Sequence, residues 1–521
     1  MVCVHPTLDL QRSDNVISLI YIRFKVFLLW YGFIYYFIFL FLSFIAILFF
    51  FRLFYLNLFY RFELITTLMK YVLGFFIFFS FTSLSILYYI MDFFSSFQTI
   101  YFTTDVNIFI FDYYIFDYLF SSNALNLNLL SVYYFPFIYI FIVITTLSVL
   151  FCLAYNTNEI ASFMFYCTII LMSGYLLFFT DSIILFFFAY EMLLVPSFFI
   201  LYNFAKTRRC VEAAYLMFFW TQFGALFLIF AFLYLFFICG TSSFSVISEF
   251  YFSSFELNFL FFCWIVGFGV KLPIWPFYGW LPKAHVEAST NFSIFLSGVL
   301  VKFAFFGLLK CLITINLEPT FYYIYPFLTI GIVDAVFKLF YQIDLKKLVA
   351  YSTVVEMHWL TICVISGQSA LMLASFCMLI SHALLSTNSF LLVDAIGRRF
   401  KTRLITEING INFLCPKLFL VSLLNSLVFL GFPGSIMFVS EILFFSFCFD
   451  LFPLLCLFLI VLLYLLGPTF FFRSWMNVLF GSSIQLLKTV PADLSSKEFI
   501  VFNGLIILMF WLGITWQAFV L

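Results

Sequence analysis

Long apolar stretches dominate the pattern of hydrophobic and polar positions along this chain. From Val26 to Leu521 they follow one another with only short polar breaks. A helix needs about 20 apolar residues to cross a bilayer core about 30 Å thick. The pattern therefore predicts an all-α polytopic membrane protein with about 14 transmembrane helices. The spans are expected near residues 26–51, 71–95, 128–153, 160–180, 182–204, 212–238, 256–281, 291–315, 321–340, 346–366, 370–393, 416–445, 452–472 and 499–519.

One stretch interrupts this series of spans, between Asp105 and Phe120. It contains Asp105, Asp112 and Asp117 among aromatic residues, which is too much charge for a span. Its apolar and polar positions also alternate as they do in a strand. We expect a hairpin that lies on one face of the membrane.

The basic residues of the loops agree with this arrangement of spans. Of the 24 Lys and Arg residues, 18 fall in loops on one side of the membrane and four fall on the other, while Lys271 and Lys302 lie inside spans. An excess of Lys and Arg marks the cytoplasmic or matrix side of a membrane protein. The asymmetry predicts that both termini lie on the opposite side.

Composition agrees with a membrane location and excludes several classes of function. Of the 521 residues, 66% are hydrophobic and only 9% are charged, so a soluble domain could not cover the apolar surface. The formal net charge of +0 gives no support to nucleic-acid binding or to electrostatic attachment at a membrane surface. The 12 cysteines never form a CxxC pair, so an iron–sulfur or zinc site is not predicted.

Ionisable side chains deep inside the spans are the candidate chemistry. A charge at the bilayer centre costs roughly 2.5–3.5 kcal/mol on insertion scales, so such residues persist only where they are paired, hydrated or functional. A glutamate opposite a lysine is an ion pair or, after proton transfer, two neutral groups. We therefore predict a proton relay inside the membrane. Its candidate members are Glu191, Lys271, Lys302, Glu356, His358, His382 and Glu441.

Two other interpretations of these residues remain open. Glu191 and Lys271 could form a static ion pair that only fixes helix packing. A purely structural scaffold, in which every buried charge pins helices together, predicts that neutral substitutions impair assembly and leave transport by the assembled protein intact. His358 fits a relay least well, because a single buried histidine is often hydrogen-bonded to a neighbouring helix.

Two spans are interrupted by glycine and proline in matching ways. One contains GFGVKLPIWPF at residues 267–277, and the other contains LGFPGSIMF at residues 430–438. Proline removes an amide donor and clashes with the preceding turn, so both helices should break at mid-depth. Lys271 lies in the first interruption and Glu441 follows the second. Paired broken helices are typical of inverted repeats that enclose an ion path, so we predict two helix bundles, each with one broken helix.

The segment GVKLPIWPFYGWLPKAHVEAST, residues 269–290, closely resembles the hallmark segment of the chain 4 family of NADH-ubiquinone oxidoreductase, the antiporter-like membrane subunits of respiratory complex I. Its HVE is more similar to chain 4 than to the related chains 5 and 2, and Glu441 also differs from the lysine of chain 2. Five further motifs are similar to family motifs in the same order. They are AYEMLLVPSFF from Ala189, SGVLVKFAFFGLLK from Ser297, QIDLKKLVAYST from Gln342, SHALLSTNSFLL from Ser381 and LGFPGSIMFVSEIL from Leu430.

The resemblance implies a proton-translocating role in complex I. It implies that Glu191 is a half-channel glutamate paired with Lys271 and that Lys302 is the next lysine of the relay. It further implies that His382 continues the route into the second half and that Glu441 passes protons onward. NADH, FMN, iron–sulfur clusters and ubiquinone would be bound by partner subunits, and no cofactor by this chain. The implied partners are the other complex I subunits, especially neighbouring antiporter-like subunits, and membrane lipid.

The resemblance also implies a division of the chain and a location, the mitochondrial inner membrane, with a bacterial plasma membrane as the alternative. The expected division is an N-terminal extension with two transmembrane helices and the surface hairpin (1–125), a first half-channel bundle (126–316), a second half-channel bundle (317–472) and a C-terminal segment with the last transmembrane helix (473–521). A subunit of a multisubunit cation/proton antiporter, which resembles the same family, remains the alternative function.

The chain departs from the family at one position of the relay. Where the motif usually reads AYSSxSHM, residues 350–357 read AYSTVVEM, so Glu356 stands in place of a histidine. His358 follows two residues later, but side chains two residues apart on a helix point to different faces. We therefore expect His358 to substitute for that histidine only in part, and Glu356 is itself a candidate relay residue on this helix.

Overall fold

The computed structural model of the protein describes residues 157–203, 207–315, 323–451, 453–462, 475–480 and 491–515. Within these residues the regular secondary structure is helical, apart from two isolated bridges that pair Ser182 with Ser243 and Asp344 with Leu404. The predicted all-helical class is thus confirmed. The predicted spans at 26–51, 71–95 and 128–153 and the hairpin at 105–120 lie outside the described residues.

The described helices are numbered in chain order. They are α1 (Thr157–Phe179), α2 (Ile183–Met192), α3 (Leu194–Asn203), α4 (Arg208–Cys239), α5 (Ser254–Lys271), α6 (Trp280–Glu287), α7 (Thr290–Thr314), α8 (Ile324–Phe340), α9 (Leu345–Ile365), α10 (Ser369–Phe400), α11 (Pro416–Phe429), α12 (Ile436–Leu451), α13 (Pro453–Ile460) and α14 (Ser496–Ile514), with single turns at Phe244–Ile247, Phe277–Gly279 and Ile411–Leu414.

Seven stretches of the described chain are long and apolar enough to cross a membrane. They are Ile183–Asn203, Arg208–Cys239, Ser254–Lys271, Thr290–Thr314, Leu345–Ile365, Leu371–Phe400 and Ser496–Ile514. Shorter apolar helices lie at Phe165–Phe178, Pro416–Phe429 and Ile436–Phe449. A membrane protein with several helical spans is established by these elements, whereas the predicted total of about 14 spans is not.

Both predicted helix breaks are confirmed. Helix α5 ends at Lys271, and regular α-helix resumes only at Trp280, where α6 begins. The second break separates α11 from α12, and it contains Gly431 and Gly434 with φ angles of +67° and +91°. Glycine alone adopts such angles without steric cost, so the turn depends on it. The segments at 256–281 and 416–445 are therefore each two helices.

Two of the described spans, α7 and α10, differ in detail from the predicted regular helices. Helix α10 continues seven residues beyond the predicted end at 393, to Phe400. Arg398 pairs with Asp394 one turn earlier at 2.9 Å, and a basic last turn favours the negative end of a helix dipole. Helix α7 contains one π-helical turn, Leu296–Leu300, just before Lys302.

The enclosed part of the fold is formed by α7, α9 and α10. Helix α10 packs against α9, α12 and the π-helical turn of α7. Within an apolar 18-residue stretch of each helix, 94% of the residues of α7, 89% of those of α9 and 94% of those of α10 are buried inside the protein. Lys302, Glu356 and His382, which lie on these three helices, are thus buried within the protein.

Candidate functional site

Three ionisable side chains from the enclosed helices lie next to one another. Lys302 on α7 contacts His382 on α10 directly, from its Nζ to the imidazole Nδ1. On the other side of the ring, Nε2 lies 3.8 Å from Oε2 of Glu356 on α9. Lys302 and His382 are each 1% exposed and Glu356 is 5% exposed. The structure therefore brings together three predicted relay residues, and we call them the central triad.

The hydrogen-bonding capacities of these groups fix a direction for the contact. A protonated lysine can only donate, so His382 Nδ1 accepts from Lys302 and Nε2 carries the imidazole proton. That proton faces the Glu356 carboxylate, although 3.8 Å is too long for a hydrogen bond and Nε2 has no other partner among the described residues. A small approach or one bridging water would complete the line.

The π-helical turn of α7 helps to hold Lys302 in place. The Lys302 ammonium donates to the carbonyl oxygen of Ser297, within that turn, at 2.5 Å. The Ser297 hydroxyl donates in turn to the carbonyl of Ser293 at 3.0 Å. Isolated π-helical turns occur frequently at functional sites, and here one lies one turn from the buried lysine. Lys302 thus has one neutral acceptor and one titratable acceptor.

Glu441 lies in the second turn of α12, and its side chain packs against the second helix break. A Cβ atom added to Gly431 would be 2.2 Å from Oε2 of Glu441, so the carboxylate rests directly against the glycine. Glu441 is also close enough to Glu356 for the two carboxyl groups to interact electrostatically. The absence of a side chain at Gly431 therefore gives Glu441 its position beside the central triad.

Glu191 and Lys271, which are predicted to be paired, each have a different hydrogen-bond partner in the structure. Lys271 donates from Nζ to the carbonyl oxygen of Tyr190 at 3.0 Å, and Nζ lies 3.5 Å from the centre of the Tyr190 ring. Glu191 accepts from Nε2 of Gln222 on α4 at 3.0 Å. Successive residues on a helix point about 100° apart, so Tyr190 faces Lys271 where Glu191 does not. Electrostatic interaction between the two charges remains, but the ion-pair contacts of the described chain do not include this pair.

His358 is not part of the central triad. Its Nε2 accepts from the backbone N–H of Trp275 at 2.8 Å, and its Nδ1 lies 2.8 Å from the carbonyl oxygen of Val354. Both ring nitrogens are thus occupied by backbone groups. These contacts connect His358 to the helix break after α5 and to its own helix.

His285 on α6 is a candidate that sequence reasoning did not select. The side chain is fully buried, its ring stacks on Phe390 at 4.8 Å, and neither ring nitrogen has a hydrogen-bond partner among the described residues. It interacts electrostatically with Lys302 and with the buried Lys346, whose Nζ donates to the Ala288 carbonyl at 2.6 Å. The position of His285 in the HVE sequence at residues 285–287 could have indicated it as a candidate.

These contacts place several buried titratable side chains beside one another. No group of three or more His, Cys, Asp or Glu side chains that could hold a metal ion occurs in the part of the chain that the structure describes. The buried titratable groups instead lie in contact with one another across α7, α9 and α10. Such an arrangement can accept, hold and release protons without any bound cofactor.

Comparisons with known sequences point to one family. The family profile described as NADH:quinone oxidoreductase/Mrp antiporter, TM, matches residues 180–467. NADH-ubiquinone oxidoreductase chain 4 from Paramecium tetraurelia is 37% identical over 336 residues, which cover 63% of this chain and 70% of that protein. The chain 4 protein from Marchantia polymorpha is 31% identical over 65% of this chain and 69% of its own length.

Comparisons with solved structures show a shared fold. Respiratory complex I from Thermus thermophilus contains a chain that is 19% identical, with a TM-score of 0.62 over 73% of this chain and 80% of that one. The Mrp complex from Dietzia sp. DQ12-45-1b contains a chain that is 22% identical, with a TM-score of 0.63 over 73% of this chain and 43% of that one. At these identities the similarity describes the fold and does not separate the two kinds of complex.

Proposed function

This chain belongs to the NADH:quinone oxidoreductase and Mrp antiporter membrane family, and its relatives are chain 4 subunits of NADH-ubiquinone oxidoreductase; from that membership we propose that it is a proton-translocating membrane subunit of respiratory complex I. It couples electron transfer from NADH to ubiquinone in other subunits to proton movement through its own helices. The cofactors NADH, FMN, iron–sulfur clusters and ubiquinone belong to those partner subunits.

The central triad is the observation that carries this proposal. Lys302 gives a proton to Nδ1 of His382, and the proton on Nε2 of the same ring passes to the Glu356 carboxylate. The net result is a neutral lysine, a neutral imidazole in its other tautomer and a protonated glutamate, so one proton has crossed from α7 to α9. The starting state returns when Lys302 takes up a new proton, Glu356 releases its proton and the His382 ring returns to its first tautomer.

The remaining predicted residues extend the route on either side of the central triad. Glu191 and Lys271 serve the first half, and the Tyr190 carbonyl between them makes hydration or a small movement necessary for transfer. Glu441 receives the proton from Glu356. His285 and Lys346 connect the triad to the side of the membrane with the basic loops.

The proposed function includes an arrangement of the transmembrane helices. The chain has about 14 transmembrane helices in two inverted-repeat bundles at 126–316 and 317–472, preceded by the segment 1–125 and followed by the segment 473–521. The two breaks, after Lys271 and after Phe429, support this division. The location is the mitochondrial inner membrane, with the loops rich in Lys and Arg facing the matrix.

A subunit of a multisubunit cation/proton antiporter is the second candidate function. Its support is the fold, since the Mrp complex is as similar in structure as complex I is. The first proposal has the stronger support because the relatives at 37% and 31% identity are both named chain 4 of NADH-ubiquinone oxidoreductase.

The experiment that tests the proposal identifies the assembly in which the chain resides. Native membranes are solubilised gently, the complexes are separated on a native gel, the gel is stained for NADH dehydrogenase activity, and this chain is identified by mass spectrometry. We expect it in the large NADH-active band. Recovery only from a smaller, NADH-inactive assembly would contradict the complex I assignment, and sodium-dependent proton exchange by that assembly would favour the antiporter.

A further inference from the structure

Between Leu272 and Phe277, in the break after α5, one backbone amide takes its hydrogen-bond partner from another helix. The N–H of Leu272 donates to the carbonyl of Phe268, that of Ile274 to Gly269 and that of Phe277 to Ile274, at 2.8, 2.8 and 2.7 Å. Pro273 and Pro276 have no N–H to satisfy. The N–H of Trp275 remains, and it donates to Nε2 of His358 on α9 at 2.8 Å.

The contacts of His358 fix both the tautomer and the orientation of its ring. Because Nε2 accepts from an amide, the imidazole proton lies on Nδ1, which donates to the Val354 carbonyl at 2.8 Å. Each nitrogen therefore already has a backbone partner. A ring held in this way serves as a fixed acceptor, whereas a proton carrier needs a nitrogen that can exchange its partner.

The site around His358 is built to hold the ring in one place. A Cβ atom added to Gly331 on α8 would be 2.2 Å from His358 Nε2 and 2.8 Å from the Cβ of Trp275, so the glycine admits both. The Tyr278 ring packs edge-on against the imidazole with its centre 6.1 Å away. The Tyr278 hydroxyl donates to Asp334 and accepts from Lys338 on the same helix α8.

We propose that His358 is a positioning residue that fixes the break after α5 by accepting the Trp275 amide, and that it thereby sets the position of Lys271 at the end of that helix. The inference rests on the proposed function only in its last step, because it assigns Lys271 a part in proton transfer. Glu356 and His358, two residues apart, thus have separate tasks. Glu356 belongs to the central triad, and His358 contacts the break.

The test compares variants of this chain in the assembled complex. A glutamine at position 358 offers a side-chain oxygen to the Trp275 amide but cannot carry a proton, whereas leucine offers neither. We expect His358→Gln to keep NADH:ubiquinone turnover and proton pumping within about twofold of the unmodified complex, and His358→Leu to lower both about tenfold, since a buried amide is left without a partner. If His358 were a relay residue, both variants would be equally impaired.

Trp359→Phe is the matched control, because Trp359 is a buried neighbour on the same helix. Its indole N–H has no hydrogen-bond partner among the described residues, so the change removes no such bond. We expect turnover within about twofold of the unmodified complex. Gly331→Ala perturbs the same contact without a substitution at position 358, because its methyl group would push the His358 imidazole away from the Trp275 amide. We expect this variant to lower turnover as His358→Leu does.

A double substitution separates this inference from the proposed function. If His358 acts through Lys271, then in a Lys271→Ala background the change His358→Leu should lower turnover by less than about twofold further. Full additivity, or an impaired His358→Gln variant in a complex of normal abundance on a native gel, would overturn the positioning role. Normal pumping by Lys271→Ala itself would instead contradict the proposed proton route, whatever the His358 variants do. Should His358→Leu fail to assemble, His358→Gln and Gly331→Ala still decide the question.

Discussion

The two regions that hold the buried lysines differ in the kind of partner they provide. At the end of α5, Lys271 donates to a backbone carbonyl and lies over the Tyr190 ring, while Glu191 accepts from a neutral amide. In the central triad, Lys302 contacts a titratable imidazole that in turn faces a carboxylate. In the first region, neutral groups contact each charged side chain. In the second region, the ionisable side chains lie next to one another.

This difference has a physical consequence for proton transfer. Where ionisable groups touch, the protonation of one directly sets the charge state that the next prefers, so the groups titrate together. Where a neutral carbonyl intervenes, a proton crosses only with water or with movement of the lysine. Substitutions should therefore have larger effects in the central triad than at the end of α5.

Removal of the lysine charge in the central triad should have the largest effect. We expect Lys302→Met to lower NADH-driven proton pumping at least about 100-fold, because the first donor of the line is lost while the side chain keeps a similar length. Pumping is measured in reconstituted vesicles, with complex abundance taken from a native gel. Lys283→Met, at an exposed lysine, is the control and should pump normally. Normal pumping by Lys302→Met would contradict the route.

The acceptor of the central triad should be the next most sensitive position. We expect Glu356→Gln to lower coupled turnover about tenfold. This loss is smaller than that expected for the removal of a proton-transferring group with no substitute, because Glu441 lies near enough to replace part of the function of Glu356. Coupled turnover is followed as NADH oxidation in sealed membranes. Glu407→Gln, at an exposed glutamate, is the matched control. An unchanged rate in Glu356→Gln would mean that the route bypasses α9.

The glycine beside Glu441 should respond more strongly than a second glycine of the same turn. Alanine at either Gly431 or Gly434 has a left-handed backbone cost of about 1–2 kcal/mol. At Gly431 the methyl group would also meet the Glu441 carboxylate at 2.2 Å, whereas at Gly434 the nearest atom is 3.9 Å away. We expect Gly431→Ala to reduce turnover several times more than Gly434→Ala does, at similar losses of thermal stability of the complex. Equal turnover would show that Glu441 tolerates displacement.

The smallest effect is expected from coupling between Glu191 and Lys271. A double-mutant cycle with Glu191→Gln and Lys271→Met should give an interaction energy below about 1 kcal/mol in coupled turnover, because neither side chain donates to the other. The equivalent cycle with Lys302→Met and Glu356→Gln should give a larger value. A larger coupling at the end of α5 would indicate that the two charges meet directly during turnover.

Much of the architecture could be predicted from sequence because it follows from one-dimensional patterns. Span length, proline and glycine interruptions and isolated charges in apolar stretches identified α4, α5, α9 and α10, both helix breaks, and the three members of the central triad. Each of these features depends on residues that are neighbours along the chain or on the cost of burying a charge.

The contacts between helices could not be predicted in the same way. Lys271 could contact either Glu191 or the carbonyl of Tyr190, depending on how α2 is rotated about its axis relative to α5. Because α2 has apolar residues on all sides, its sequence does not determine that rotation. The partner of the Trp275 amide lies on another helix 83 residues away, so no local pattern indicates His358 as its acceptor. The π-helical turn before Lys302 has no distinct sequence pattern.

Substitution of the middle residue of the central triad tests the account most directly. The complex with His382→Gln is reconstituted into vesicles, and protons pumped are measured per NADH oxidised. Glutamine can bond to Lys302 but cannot exchange a proton between two nitrogens, so we predict a clear fall in protons per NADH in a fully assembled complex. An unchanged ratio at normal turnover would contradict proton transfer through Lys302, His382 and Glu356.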